Sequence, residues 1–481
     1  MVTVASLLAT DPDQVREVAG YYRAAAAAVA VRGDELDATS RSLRGGWSGP
    51  AQRSAEAALT GVRARLRAAT GALTSADQAL SEFAEAIAVT RRLVGDESLG
   101  SVGRSLRMAT AADADAARRL AEAGTWFTAT SDRLTLPRPG TDPASVWSWW
   151  SRLTDAQQTT LITTRSADLM ALDGIPADAR DIAARMALHA QSTDLRAGRA
   201  GLAADGLPTA ELDRSIAGLD EIERRLNDPG SATRDYLLDL DANRNRAVVS
   251  IGDPDRSTDV VTVVSGLGSG LPEASADLDA AAQVRAAGSA AAGAGQDVAA
   301  VAWLGYDAPR TLQDAMGTSD ARTAAEPLTR FVTGQAVTHQ GPPAHESLIG
   351  YSYGSTVVGA AAGSQHLPVS DIVLVASPGA TVDHAADLGI DPSHVWATTA
   401  AADPVRLAHD PLNTARDLLT GHQPDHLWFG TDPTSSSFGA QVFDSGSGSW
   451  WHPIATHTGY FDPGTESLER IGDIVAGRPP A

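Results

Sequence analysis

The 481-residue chain has no cysteine, which removes disulfides, thiolate metal ligands and cysteine nucleophiles at once and leaves the redox compartment open. Lysine is absent too: all 38 Lys-plus-Arg positions are arginine, against 59 acidic residues, for a net charge of −21. A chain so acidic lacks the clustered cations that displace counterions from phosphates, so nucleic acid and anionic membrane surfaces are excluded as expected partners. Aromatic residues make up only 5%, and alanine has to do much of the core filling. No apolar run approaches the eighteen or so residues of a membrane span, and AAAAAVAV at 24–31 is too short. The start, MVTVASLLATDPDQ, has neither a basic lead nor an apolar stretch of signal length, so no cleavable signal peptide and no transmembrane helix are expected. There is no His-Glu-x-x-His, no lysine-bearing phosphate loop and no dinucleotide glycine pattern in the right setting; no metal and no cofactor are expected.

What is present has two textures. Residues 11–43 and 51–91 carry apolar positions at helical spacing and predict two long helices. Between them RGGWSGP supplies breakers, Gly45, Gly46, Gly49 and Pro50, with Trp47 as one large apolar anchor, so the pair reads as an antiparallel hairpin. A third helix is expected over 110–133, and LTLPRPGTDP at 134–143 reads as a stiff linker. The pattern stays helical through VWSWWSRLTDAQQTTLI, IPADARDIAARMALHA and 208–227, and Trp147, Trp149 and Trp150 read as packing residues.

From 235 short runs rich in Val, Ile and Leu take over: DYLLDL, AVVSI, DVVTVVS, DVAAVAWL, SLIGY, DIVLVAS, HVWATT and HLWFG. Helical stretches near 272–292, 320–336, 354–364 and 464–476 alternate with the later ones. Nearly continuous apolar strands separated by helices indicate a mostly parallel sheet covered on both faces. The first two strands, split only by DANRNR, read as an antiparallel pair at one edge. The expected organisation is 1–133 hairpin and third helix, 134–143 linker, 231–481 an α/β domain, and 144–230 a helical segment packing on or capping that domain.

One motif carries chemistry. Gly350-Tyr351-Ser352-Tyr353-Gly354 matches G-x-S-x-G, with a strand entering it and a small-residue helix leaving it. Gly350 and Gly354 let strand and helix approach closely enough for a strained turn that pushes the Ser352 hydroxyl out at the C-terminal edge of the sheet. A serine nucleophile needs a base, and the base needs an orienting acid. Asp403, shortly after the HVWATT strand, is the acid candidate ahead of Asp383, Asp410 and Asp432, whose ordinary role is capping or surface. His409, His422, His426, His452 and His457 follow it; the last two compete for the loop before the final helix, and His457, with Thr458 and Tyr460 beside it, is the choice. Oxyanion donors are expected at the Tyr353 amide and in VVSGLGSGLP, at Gly266, Leu267 and Gly268. Tyr306 and Asp307 in WLGYDAP, with Tyr460, are pocket candidates.

Several stretches together resemble a bacterial alpha/beta hydrolase family long classed as a domain of unknown function, over about 144–477: WW-x-x-L at Trp149 to Leu153, LDGIPADARD at 172–181, VVSGLGS, WLGYDAP, GYSYGS, the ADP of Asp403, and HTGYFD. The resemblance implies an alpha/beta-hydrolase fold, a triad of Ser352, Asp403 and His457, and a carboxylesterase- or lipase-like serine hydrolase acting on an ester-like bond through an acyl-enzyme. One departure is Ser265, where related proteins tend to have proline. The N-terminal hairpin is similar to WXG-type modules associated with type VII secretion, through Trp47-Ser48-Gly49. That implies a helical partner or self-association through 1–133, and a location either cytoplasmic or reached by a type VII-like route. The rival expectation is a type VII secretion-associated interaction protein carrying a catalytically degenerate hydrolase scaffold. Short or medium esters are the expected substrates, because few large apolar residues gather in sequence near the predicted catalytic edge.

Overall fold

The structure, a computed structural model, describes residues 11–30 apart from 14, 17 and 28, the helix Pro50–Val94, residues 110–120, and 134–480 apart from 229, 312 and 409–424. The chain divides into two compact units, one formed by Met1–Leu136 with Arg152–Arg165, the other by Pro137–Ser151 with Ser166–Ala481. The expected 144–230 segment is thus split: the short helix Asp155–Thr164 groups with the N-terminal unit, and the helices after it with the sheet.

In the first unit the described part of 12–30 is helical and runs antiparallel to Pro50–Val94. Ala26 and Val29 pack with Leu66, Ala69 and Leu73, while Arg23 reaches Asp77 with two hydrogen bonds of 2.8 and 3.0 Å and Arg16 reaches Glu85. Contacts that fall in sequence on one helix as they rise on the other are the signature of a hairpin. Arg119 joins it through Glu82 at 2.9 Å. The bend with Trp47, and the expected helical residues 31–43 and 121–133, lie outside the described residues.

The second unit is built on an eight-stranded sheet. In chain order its strands are β1 Asp235–Asp241, β2 Arg246–Ile251, β3 Asp259–Val264, β4 Val298–Leu304, β5 His345–Tyr351, β6 Asp371–Val375 and β7 Val395–Thr398; the pair β8 His426–Leu427 and β9 Gly430–Thr431 stands apart, and β10 Gln441–Val442 returns to the sheet. The order is β1-β2-β4-β3-β5-β6-β7-β10, with β2 antiparallel to β1 and β4 and every later pairing parallel. HLWFG, expected as a sheet strand, is instead the small β8–β9 pair: Phe429 is buried by bonding Pro378 and Thr381, which uses up its backbone.

Strands β3 and β4 are buried at every position, which is why they read as unbroken apolar runs. Helices Ser319–Thr338 and Tyr353–Ala362 pack with each other on the face that carries Val264, Leu348, Ile372 and Leu374; Ala274–Ala291 and Glu466–Val475 pack together on the face that carries Val298. The helix Ala177–Ala204 lies along β1 through LDGIPADARD: Asp181 accepts the Leu237 amide at 2.8 Å, Arg180 donates to the Leu238 carbonyl at 2.8 Å, and the Ala177 amide donates to Asp255 at 2.7 Å. That motif fastens an edge strand. Because β3 to β7 run parallel, the loops after Val264, Leu304, Tyr351 and Thr398 all emerge at one edge.

At the opposite end of β5 lies Glu346, fully buried with Oε1 unpartnered, and burial together with nearby Asp255 pushes its pKa to about 8. The folded chain binds this proton more tightly than the unfolded one, so stability falls as pH rises from about 4.5 through 8. Glu346→Gln, which cannot ionise, is expected to gain on the order of a few kcal/mol relative to wild type by pH 9 and almost nothing at pH 4.5, read from denaturant melts across that range.

Candidate active site

Ser352 is the single residue between β5 and the helix Tyr353–Ala362, at φ 53° and ψ −127°. A β-carbon is strained there, and such strain persists only where surroundings enforce it. They do so by close packing. A Cβ on Gly350 would lie 2.5 Å from Ser355 Cα, and one on Gly354 would lie 2.0 Å from the Val264 carbonyl oxygen, so both glycines of the motif are required by contact. The Ser352 amide donates to the Val375 carbonyl at 2.9 Å, tying the turn to β6.

His457 Nε2 stands 3.0 Å from Ser352 Oγ, and its Nδ1 stands 2.9 and 3.0 Å from the two oxygens of Asp403. An ionised carboxylate only accepts, so Nδ1 carries the proton and Nε2 is left to accept from the serine. The histidine sits in the short helix Pro453–Thr458, not in an open loop. Asp403 is buried, caps the turn Pro404–Leu407 by accepting the Val405 amide at 2.8 Å, and accepts the Tyr460 hydroxyl at 2.8 Å. Tyr460 in turn accepts the Ala400 amide at 2.8 Å. Burial and the Asp403 charge hold the Tyr460 and Tyr351 hydroxyls protonated far above the usual tyrosine range, so both act only as neutral groups.

Tyr351 is a residue that sequence reasoning passed over. Its hydroxyl donates to the His457 carbonyl at 2.6 Å, and its ring lies 5.5 Å from the imidazole. It occupies an unspecified position of G-x-S-x-G, so only its aromatic character could have drawn notice.

The loop after β3 lies against this turn: a Cβ on Gly266 would stand 2.9 Å from Ser352 Cβ and 2.9 Å from the Tyr353 nitrogen. Tyr353 opens a helix, so its amide has no intrahelical acceptor. Among the described residues no carbonyl accepts from the Leu267 amide. Gly268 differs from expectation, since its amide donates to the Pro309 carbonyl at 2.8 Å and is not free to bind an oxyanion. Tyr306 is buried, stacks on Trp303 and donates to the Ser265 carbonyl at 2.8 Å, so it braces the loop from behind. Asp307 is paired with Arg246 at 2.6 Å. Tyr306 and Asp307 line a cavity of about 220 Å³ with Asn245 and Ser269; Tyr460 lines another of about 430 Å³ with His452 and Asp462, behind the His457 helix.

The competing candidates fall elsewhere. His452 is exposed and sits 3.4 Å from Ser449 Oγ, His426 pairs with Asp425, and Asp432 caps Thr434. Asp383 stands near Thr431. Asp410, His409 and His422 lie outside the described residues.

Residues 241–413 match the family described as Alpha/beta hydrolase, a span that contains Ser352 and Asp403 and stops before His457. An uncharacterized protein of Mycobacterium bovis is 37% identical over 204 residues, 40% of this chain and 75% of that protein. The chain belongs to the alpha/beta hydrolases. An uncharacterized Mycobacterium tuberculosis protein is 28% identical over 381 residues, 71% of this chain, which spans only 57% of that protein's length. Residues 7–90 match proteins of 100 residues with WXG, and no solved structure matches. In alpha/beta hydrolases the nucleophile, acid and histidine follow in that chain order, the order of residues 352, 403 and 457. Among the described residues, no helix is long and apolar enough to cross a membrane.

Proposed function

We propose that this hydrolase is a serine esterase in which Ser352 is the nucleophile, His457 the base and Asp403 its orienting acid. The observation that carries the reading is one imidazole bridging Ser352 Oγ at 3.0 Å and both Asp403 oxygens at 2.9 and 3.0 Å. Ser352 Oγ attacks the ester carbonyl while Nε2 takes its proton. The negative charge that develops on the carbonyl oxygen is met by the Leu267 and Tyr353 amides, donors already in place before reaction. Collapse expels the alcohol, which receives the proton from His457, and water attacks the acyl-enzyme by the same route in reverse. Labelling by a fluorophosphonate probe tests this: wild type is expected to label and Ser352→Ala to remain blank, and equal labelling of the two overturns the assignment.

The substrate reading changes with the fold. Exposed apolar side chains sit on segments that adjoin the site, and we read them as a collar: Leu267 follows Gly266, which packs on Ser352, Met316 precedes the Gly317 carbonyl that Tyr353 binds, and Trp450, Trp451 and Ile454 come just before His457. Leu407 joins them, because its turn packs on the His457 helix. Trp451 is 90% exposed. This collar favours esters with a long apolar acyl group over the short ones expected from the sequence. Each methylene held there is worth up to about 0.8 kcal/mol, roughly fourfold. Across p-nitrophenyl acetate, butyrate and octanoate, kcat/KM should therefore rise by about tenfold or more; a flat or falling series rejects the collar as an acyl site.

The WXG match supports a second role for the first unit, pairing of its helices with another helix pair or a second copy. Type VII-like export belongs to that reading.

A further inference from the structure

Asp277 lies in the first turn of the helix Ala274–Ala291, which follows the loop 265–270 through the turn Leu271–Glu273, and the proposed chemistry makes no use of it. Its Oδ2 is sealed from solvent and accepts no hydrogen bond, and Ser269 Oγ is likewise sealed and unpartnered. The groups that favour its charge are all loop donors: the Ser265 hydroxyl, the Gly270 amide and the Ser269 hydroxyl. The rest of the loop is held from other sides. Tyr306 donates to the Ser265 carbonyl, the Gly268 amide donates to Pro309, and the Leu271 amide donates to the Asn245 carbonyl at 3.0 Å. A carboxylate facing three donors of one loop, with a spare oxygen, is placed to set that loop's position.

We infer that Asp277 is a positioning residue which, through Ser265, Ser269 and Gly270, sets the loop so that the Leu267 amide faces the carbonyl carried by Ser352. This rests on the proposed role of Ser352. Burial raises the Asp277 pKa to about 6 in spite of its donors, with Glu273 at the N-cap of its helix adding to the effect; Tyr306 after β4 and Tyr351 at the end of β5 are the other titratable groups that sense it. Above that pH the charged carboxylate attracts the Ser265 hydroxyl and the Gly270 amide, with the unpartnered Ser269 hydroxyl also drawn toward it. Below it the group gains a proton and its hold on the loop weakens.

The test compares wild type with Asp277→Ala, Asp277→Asn and Ser265→Ala in steady-state hydrolysis and in the rate of fluorophosphonate labelling. Losing the alignment of one oxyanion donor should lower kcat of Asp277→Ala by about tenfold to a hundredfold, within the range for removing such a donor outright. KM should change by less than about threefold, since the donor acts on the charged intermediate more than on bound ester. Asp277→Asn keeps an acceptor and should recover part of the loss, while the acid-side inflection in kcat/KM near pH 6 that belongs to Asp277 disappears. Ser265→Ala should show a smaller loss of the same kind. If wild type labels at Ser352 and all three variants keep its kcat and pH profile, the inference is overturned and the esterase reading stands. If wild type does not label at Ser352, the esterase reading fails and this one falls with it. Should Asp277→Ala fail to fold, Asp277→Asn and Ser265→Ala still decide.

Discussion

Ser352→Ala is expected to lower kcat for p-nitrophenyl esters by about 10⁴ or more, with the melting temperature unchanged. Removing the nucleophile of such a triad leaves only what the oxyanion donors and binding supply, and the three groups act as a unit, so the loss from one approaches the loss of all. The fold should not notice. Among the described residues the hydroxyl's one side-chain partner is His457, and alanine keeps the same backbone and the same strain at φ 53°. Ser352→Gly makes the complementary point: it relieves that strain and should raise stability by about 1 to 3 kcal/mol while being equally inactive. Activity and melting temperature measured on the three proteins separate a catalytic hydroxyl from a structural one, and an Ala variant retaining a tenth of wild-type kcat contradicts the mechanism.

Asp403→Asn should be nearly as damaging, with a loss of about 10⁴ in kcat, the scale found when the acid of a serine triad becomes an amide. Here the reason can be derived from the surroundings. Asp403 accepts from the Val405 amide and the Tyr460 hydroxyl as well as facing His457 Nδ1. The Val405 amide can only donate and bonds Oδ1, whereas the Tyr460 hydroxyl at Oδ2 can also accept, so an asparagine is driven to keep its oxygen on Val405 and to place its NH₂ at the Oδ2 position, against Tyr460 and the ring. Nδ1 must then accept, which moves the imidazole proton to Nε2, facing the serine. A base that already carries its proton cannot take another at neutral pH. Kinetics with circular dichroism are the check: the variant should be folded, bind ester with KM little changed, and turn it over at about 10⁻⁴ of the wild-type rate.

Much of this site was open to a reader of the sequence. G-x-S-x-G between an apolar run and a small-residue helix requires a sharp turn, and the glycines that permit it are in the pentapeptide itself. Asp403 and His457 could be ranked by the elements they follow, because parallel strands end at one edge. The supporting tyrosines were harder. Tyr460 lies three residues from His457 in sequence, yet its bond to Asp403 spans 57 residues; Tyr306 lines a cavity and also braces the loop, through a bond to Ser265 that spans 41 residues. Gly268 fitted the pattern for an oxyanion donor until Pro309, 41 positions away, was found to take its amide. Strand β10, at the end of the sheet, was illegible for a different reason. Gln441–Val442 is two residues long and exposed, and only its register with Trp396 and Ala397 makes it a strand.

By itself the sequence determined the helical hairpin, the parallel sheet and the turn that presents Ser352, because each follows from spacing within a few residues: period 3.6, continuous apolar runs, glycine on both sides of a serine. Tertiary structure alone decided that His457 and Asp403 meet at Ser352, that Tyr351 and Tyr460 hold them there, and that the loop after β3 packs against the same turn. Convergence depends on strand register and on loop paths, and those are set by the packing of the whole core, which no local pattern encodes.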